Sequence, residues 1–552
     1  MSPEELLDGL DEQQRQAAEA LLGPVCMLAG AGTGKTRAIT HRIAYGVASG
    51  VYPPGRVMAL TFTSRAAGEL RSRLRGLGAA GVAARTFHAS ALSQLNFFWP
   101  QVVGGTMPKL IDSKARLLAH AADSLRLKLD TATLRDAAAE IEWRKVSRLS
   151  IDQYGSSGRA MPPTLTIERS ADLQRAYENL KDERRQLDFE DVLLAAAGMI
   201  ELEPRVAQQV REQYRFFVVD EYQDVSPLQH DLLTLWLGER NDVCVVGDAS
   251  QTIYSFAGAS PDYLLGFPAA YENAVVVRLE QNYRSTPTIV DAANRLMRGR
   301  PGALSLHSAH GASGPAPSVH AAQNESQEAR SIATAIAAEI AGGVAASEIA
   351  VLYRINVQGT AIEAALEDAG VSFVLRGATR FFDLKEVKEA LMLLKGASVT
   401  TAATEPLFKT VSDVLRSLGW TQEGPEVRGA VRDRWESLNA LMQLAEETAA
   451  GTTLRQFVDE LFERQAGQHD PTRAAVTLST IHAAKGLEWD SVYLAGLSEG
   501  YLPISYARTE EAVDEERRLL YVGVTRARKR LGLSWSAQQG RKPSRFLAEL
   551  QR

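Results

Sequence analysis

Cysteine is almost absent from this 552-residue chain: only Cys26 and Cys244 occur, each inside a short apolar run. Neither has a zinc-spaced neighbour and no framework beyond one bridge is possible, which excludes a disulfide-stapled domain and points to a reducing compartment. Long apolar stretches are missing too. Nowhere do about 18 apolar residues follow one another, so no membrane span is expected. The start, Met1-Ser2-Pro3-Glu4-Glu5, is acidic and lacks the apolar segment of a signal peptide. The chain also lacks an excess of positive charge: 61 Lys and Arg against 67 Asp and Glu leave a net −6. That excludes a basic nucleic-acid coat but not a locally positive groove. Lysine is scarce, 13 against 48 Arg, and with abundant Ala this bias reads as genome base composition. A cytoplasmic, soluble protein without repeats or a low-complexity tail is expected.

Hydrophobic residues at 45% and charged residues at 23% are ordinary for globular protein. The length suggests three to four domains at roughly 150 residues each. Short apolar runs recur at Pro24–Leu28, Val57–Leu60, Phe216–Val219, Val243–Val246, Val275–Val277, Ile349–Leu352, Val476–Leu478, Val492–Ala495 and Leu531–Trp535. Alternating with helical segments, they predict buried parallel strands and an α/β architecture. Leu110–Glu183 and Val387–Arg464 look helical and strand-poor, and His310–His320, with its glycines and prolines, reads as a surface loop.

The strongest local signal is Ala29-Gly30-Ala31-Gly32-Thr33-Gly34-Lys35-Thr36, directly after the first apolar run. Glycines let backbone N–H groups curl around phosphates, Lys35 can reach the β- and γ-phosphates, and the Thr36 hydroxyl can ligate Mg²⁺. The strict pattern has Gly at the position of Ala29. Phe216–Val219 delivers Asp220 and Glu221 at a strand end, the first suited to Mg²⁺ and the second to polarising an attacking water. Such a pair alone is often a solvated strand end; beside a phosphate loop it becomes the second half of an NTP site. Lys35 and Asp220 lie 185 residues apart, more than adjacent strands of a phosphate-binding core need. The helical stretch between them is therefore expected to be an insertion, and the stretch after Val387 a second one.

Asp220-Glu221-Tyr222-Gln223-Asp224 resembles the carboxylate signature of UvrD/PcrA/Rep-type superfamily 1A DNA helicases, and further signatures follow in family order. Leu10–Arg15 looks like the adenine-reading Q motif, with Gln14 as its glutamine. Thr61–Ala67, Thr86-Phe87-His88, Leu187–Asp191, Gly247–Tyr254, Gln281–Ser285, Tyr353–Asn356, Thr480–Glu488 and Glu515–Ala527 resemble the remaining motifs. The resemblance runs from about Leu10 to Arg545, and within the family the chain looks like a short actinobacterial UvrD-like paralogue.

This resemblance implies two RecA-like P-loop parallel-sheet cores, each interrupted by a mainly helical inserted subdomain. The implied division is 1–90 with 188–280 (first core, ATP-binding), 91–187 (helical insert), 281–390 with 472–552 (second core) and 391–471 (reduced helical insert). Nucleotide would lie between the cores. Lys35, Asp220, Glu221, Gln251, Arg284 and Arg526 are the implied catalytic set, the two arginines pointing at the γ-phosphate. Residues 29–37, including Arg37, with Gln14, Tyr283, Arg284, Glu488 and Arg526, would bind ATP; Tyr283 would stack on adenine, and Glu488 would lie near the ribose. Thr36 and Asp220 would hold Mg²⁺. For single-stranded DNA, Phe62, Tyr254 and Phe256 are stacking candidates, with Thr86, His88, Arg354, Asn356 and His482 as backbone contacts. Stacking suits a motor that must grip any sequence.

The implied function is Mg-ATP-driven movement 3′ to 5′ on single-stranded DNA and at single-strand/duplex junctions, in DNA repair or replication alongside unidentified repair proteins. One alternative is a translocase that clears proteins but separates strands weakly. Another is a DNA-binding module that has lost catalysis, disfavoured because Lys35, Glu221, Gln251, Arg284 and Arg526 are all present. Phe256 stands where relatives commonly have Trp and Ala257 where they commonly have Arg. The second insert, about 80 residues, is shorter than usual. After Pro543–Leu547 no room for an accessory or nuclease domain is expected.

Overall fold

A computed structural model describes residues 2–129, 131–157, 165–376, 382, 384–400, 405–423, 430–446, 448, 451–467, 475–505 and 507–551. The chain forms two compact units, Met1–Tyr283 with Gly299–Leu306, and Arg284–Arg298 with His307–Arg552.

The first unit is built on a six-stranded sheet of β1 (Val25–Ala29), β2 (Val57–Thr61), β3 (Ala83–Thr86), β4 (Phe216–Val219), β5 (Val243–Gly247) and β6 (Val275–Leu279). The strand order is β3-β2-β4-β5-β1-β6 and every pairing is parallel. Successive residues of a strand face opposite sides of a sheet, and here both sides are covered. Cys26, Met58, Leu60, Phe217 and Val245 enter one core, while Val25, Met27, Ala59, Phe216 and Cys244 enter the other. Burial on both faces explains why the four inner strands β1, β2, β4 and β5 read as unbroken apolar runs. It also puts the two free, buried cysteines on opposite faces of neighbouring strands.

Between β3 and β4 the chain makes helices Lys114–Ser124, Thr131–Val146, Ile151–Gly155 and Ile167–Arg184. They close around Leu118, Ala121, Ile141, Leu173 and Tyr177. A buried ion cluster ties this block to the helix Phe189–Leu202. Asp188 caps that helix, accepting from the Asp191 backbone at 3.0 Å, and is fully buried. Lys145 Nζ lies 2.6 Å from both Asp188 and Asp191, Lys181 Nζ 3.2 Å from Asp188, and the Tyr177 hydroxyl donates to Asp188 at 3.0 Å. Burial alone would favour the neutral acid, but Lys145 and Lys181 hold the Asp188 carboxyl well below the usual range.

Removing one partner of such a buried pair costs about 3–5 kcal/mol. Lys145→Met should therefore lower chemical-denaturation stability by about that much. Because the folded carboxyl titrates below its unfolded value of about 3.9, the contribution is complete above that pH and is lost as pH falls below it. The gap between variant and parent should accordingly close on acidification. A gap that is constant with pH would mean that the cluster does not carry the effect.

The second unit holds β7 (Ser318–Ala322), β8 (Ile349–Tyr353), β9 (Phe373–Arg376), β10 (Val476–Thr480), β11 (Trp489–Leu494) and β12 (Ala527–Ser536). Their order is β7-β12-β11-β8-β10-β9, again all parallel. Between β9 and β10 lie helices Lys385–Thr400, Leu407–Ser417, Ala430–Glu446 and Leu454–Gly467 around Leu391, Leu394, Leu415, Trp420, Leu441 and Phe457. The expected end of this block, at Pro471, falls outside the described residues.

The sequence reading of His310–His320 as a loop is corrected at its end, where Ser318–His320 belong to β7. β3, β7 and β9 are all edge strands and none was legible as an apolar run. An edge strand pairs on one side only and can remain polar; β7 is mostly exposed, with only Ala322 fully buried. Among the described residues no helix is long and apolar enough to cross a membrane.

Candidate functional site

In the first unit β1 lies between β5 and β6, and the loop Gly30–Gly34 leads from its carboxyl end into the helix Lys35–Ala48. Gly34 caps that helix at φ +77°, a left-handed conformation, and a Cβ there would come within 2.6 Å of Gln14 Nε2. Neighbouring groups hold the loop by its carbonyls. Asn282 Nδ2 donates to Ala31 O at 2.6 Å, the Tyr283 backbone to Gly32 O at 2.8 Å and Gln14 Nε2 to Thr33 O at 2.9 Å. A helix N-terminus entered from such a loop attracts anions through its unpaired N–H groups and dipole.

Gln14 is buried and Asp11 caps its helix, accepting from the Gln14 backbone at 2.7 Å. The other Asp11 oxygen accepts from the Tyr283 hydroxyl at 2.6 Å, leaving the Tyr283 ring half-exposed. Burial, and then this bond, push the Tyr283 phenol up to about 12. Arg37 turns to the Gly9 carbonyl at 2.8 Å.

Asp220 and Glu221 follow β4, and Glu221 takes φ +53°, strained backbone of the kind that clusters at functional sites. Lys35 Nζ stands 3.9 Å from Glu221 Oε1. A hydrogen-bonded chain then crosses to the end of β5. Gln223 Nε2 donates to Glu221, Gln223 Oε1 accepts from the Asp248 backbone at 3.0 Å, and Asp248 accepts from Gln251 Nε2 at 2.8 Å. Gln223, to which the sequence reading gave no role, thus connects two predicted site residues; its only signal was its place in the carboxylate motif. Burial first, and the adjacent Glu221 charge second, push the Asp220 carboxyl up to about 7 against the pull of Lys35. Such a carboxylate is short of positive charge, a condition that a divalent cation relieves.

Aromatics gather beyond the carboxyl ends of β2 and β5. Phe62, just past β2, stacks on Tyr254 with centroids 5.6 Å apart and planes 11° from parallel, and Phe256 meets Tyr254 edge-on at 6.0 Å. The end of β3 is in register, Thr61 opposite Thr86. Thr86 Oγ1 caps the helix Phe87–Val102 at 3.1 Å from the Ala89 nitrogen, so this candidate has a structural task of its own. His88 stacks on Phe189 at 4.0 Å, and burial lowers its imidazole to about 4, so the ring is neutral at pH 7.

Phe189 is 56% exposed, and its one mark in the sequence is its place between the acids of the Leu187–Asp191 motif. Base–aromatic stacking is worth about 1–3 kcal/mol per base. Phe62→Ala, Phe256→Ala and Phe189→Ala should each weaken oligo-dT binding within that range, measured by fluorescence anisotropy. Unchanged affinity in all three would remove this surface from consideration.

In the second unit Arg354 and Asn356 follow β8 and His482 follows β10, whose ends are in register with Tyr353 opposite Thr480. Asn356 is exposed. Arg354 makes a two-pronged ion pair with Glu516, Nη2 to Oε1 at 2.8 Å and Nε to Oε2 at 3.0 Å. Burial, then Arg354 and Lys485, lower His482 to about 4.

Arg284 reaches Glu488 at 2.5 Å and the Thr525 carbonyl at 3.2 Å, so in this structure Glu488 serves as an arginine anchor. Arg526 is buried, donating to the Val522 and Leu487 carbonyls at 2.9 and 3.1 Å. The structure therefore brings Lys35, Asp220, Glu221 and Gln251 together in one unit, and Arg284, Glu488 and Arg526 around one helix end in the other.

Residues 10–272 match the model of the UvrD/REP helicase N-terminal domain, and residues 277–421 and 401–538 that of the UvrD-like helicase C-terminal domain. The chain is similar to ATP-dependent DNA helicase UvrD2 of Mycobacterium tuberculosis, 48% identical over 98% of this chain and 81% of the relative. It is similar also to DNA helicase II of Escherichia coli (31%, 99% and 88%) and to ATP-dependent DNA helicase PcrA of Bacillus subtilis (30%, 99% and 86%).

Proposed function

This chain belongs to the UvrD/REP helicase family, and we propose that it is an ATP-dependent DNA helicase, moving 3′ to 5′ on single-stranded DNA in the cytoplasm and serving repair or replication. The observation that carries the reading is the 3.9 Å approach of Lys35 to Glu221, between a phosphate loop and a strand-end carboxylate. Mg²⁺ bound with the nucleotide would neutralise phosphate charge, held by Thr36 and Asp220; magnesium keeps several waters and needs few protein donors.

Glu221 orients and polarises the attacking water. Gln223 holds that carboxylate in line with the end of β5, where Gln251, bonded to Asp248, senses the γ-phosphate and the water. Arg284 and Arg526 stabilise charge on the transferred phosphate, while Gln14 and Tyr283 hold the adenine end. DNA is gripped by Phe62, Tyr254, Phe256 and Phe189 and by the neutral imidazoles of His88 and His482, which contribute hydrogen bonds rather than charge. We divide the chain into two cores and two inserts, with core segments 1–90, 188–280, 281–390 and 472–552.

A second reading, a translocase with weak strand separation, is favoured by the small size of the block after Lys385, whose described helices pack around a single core. Less surface for duplex should reduce unwinding more than movement. One experiment tests both readings: ATPase rates with and without single-stranded DNA, beside strand displacement on 3′- and 5′-tailed duplexes. The helicase reading expects DNA-stimulated turnover and displacement from the 3′ tail. Turnover without displacement selects the translocase, and absence of DNA stimulation overturns both.

A further inference from the structure

The ion pair between Arg354 and Glu516 joins two parts of the second unit to which the motifs assign different tasks. Arg354 lies just past β8, on the turn that also presents Asn356, beside the β10 end that presents His482. Glu516 lies inside the helix Glu510–Val524, the element whose end holds both γ-phosphate candidates. At that end the Thr525 carbonyl accepts from Arg284 and the Val522 carbonyl accepts from Arg526. Both side chains of the pair are largely withdrawn from water, Arg354 at 13% and Glu516 at 7% exposure. Glu516 Oε2 also accepts from the Ile504 backbone at 3.2 Å, which fixes the carboxylate from a third direction.

From Glu516 to Thr525 is nine residues, about 14 Å of helix. The intervening Leu519, Leu520, Val522 and Val524 are buried. A close-packed helix moves as a body, so displacement at one end reaches the other.

We propose that Glu516 is a positioning residue that couples DNA contact to ATP turnover, by tying the Arg354 turn to the helix that sets Arg284 and Arg526. The inference rests on the proposed reading of Arg354 as a DNA contact and of the two arginines as phosphate-facing. DNA held at Arg354 biases the helix through the two-pronged bridge, and the helix end places the arginines. Such coupling is reciprocal for binding, so nucleotide also alters the hold on DNA through the same bridge.

The test uses the full chain. Glu516→Gln keeps the shape and removes the charge; Glu516→Asp keeps the charge and shortens the reach, and serves if the first variant fails to fold by circular dichroism. ATPase is measured with and without oligo-dT, and oligo-dT affinity by anisotropy. The expected result is at least about a tenfold loss in the ratio of stimulated to unstimulated turnover, with oligo-dT still bound. In an Arg354→Ala background, Glu516→Gln should add no further loss, because the bridge is already gone. Stimulation within about twofold of the parent, or additive losses in the double variant, overturns the proposal. Arg354→Ala alone tests the underlying reading: if oligo-dT affinity is unchanged there, Arg354 is not a DNA contact, whatever Glu516 does.

Discussion

Glu221→Gln is expected to bind ATP and single-stranded DNA like the parent and to hydrolyse ATP about 10²–10⁴-fold more slowly, the usual contribution of a positioned general base. The amide fills the same space and can still receive the Gln223 hydrogen bond at its oxygen, but it cannot carry the charge that polarises water. The left-handed backbone at Glu221 is unaffected by a change at the end of the side chain, so folding should be spared. Single-turnover hydrolysis separates the chemical step from product release. Near-parental turnover would sink the assignment, leaving Glu221 as a counter-ion for Lys35.

The larger effect is expected at Arg284. Arginine fingers are worth about 10³–10⁵ in rate, and Arg284→Ala should lose DNA-stimulated turnover on that scale while keeping its DNA affinity. The competing explanation is visible in the structure, where Arg284 is ion-paired with Glu488, a side chain 40% exposed. An exposed pair of that kind contributes only about 0–1 kcal/mol to stability. A purely structural Arg284 would therefore give a variant that is slightly less stable and nearly as active. Arg526 needs a gentler change, because its guanidinium is buried and closes the end of the helix Glu510–Val524. Arg526→Lys keeps a charge but loses the fork, and should fall in rate further than it falls in thermal stability. A rate loss no larger than the stability loss would place Arg526 in the scaffold.

What could be read from the sequence follows from where each element sits. Strands buried on both faces must be apolar at every position, so the runs that became β1, β2, β4, β5 and β8 were visible without coordinates. β3, β7 and β9 were not, because an edge strand is free to be polar. The phosphate loop was equally legible, since its chemistry demands glycines and a lysine at fixed spacing directly after a strand.

The α/β class, the two helical interruptions, the family and the residue types at the candidate NTP site were thus all legible in the order of residues along the chain. The partners of those residues emerged only on folding. Folding joined Gln223 to Asp248 across two strand ends, paired Asp11 with Tyr283 over 272 positions, stacked His88 on Phe189, and set Arg354 against Glu516. The physical reason is range. Backbone conformation and hydrophobic burial leave periodic marks within a few residues, whereas a hydrogen bond or ring contact between distant segments leaves none until the parallel sheet brings their ends together.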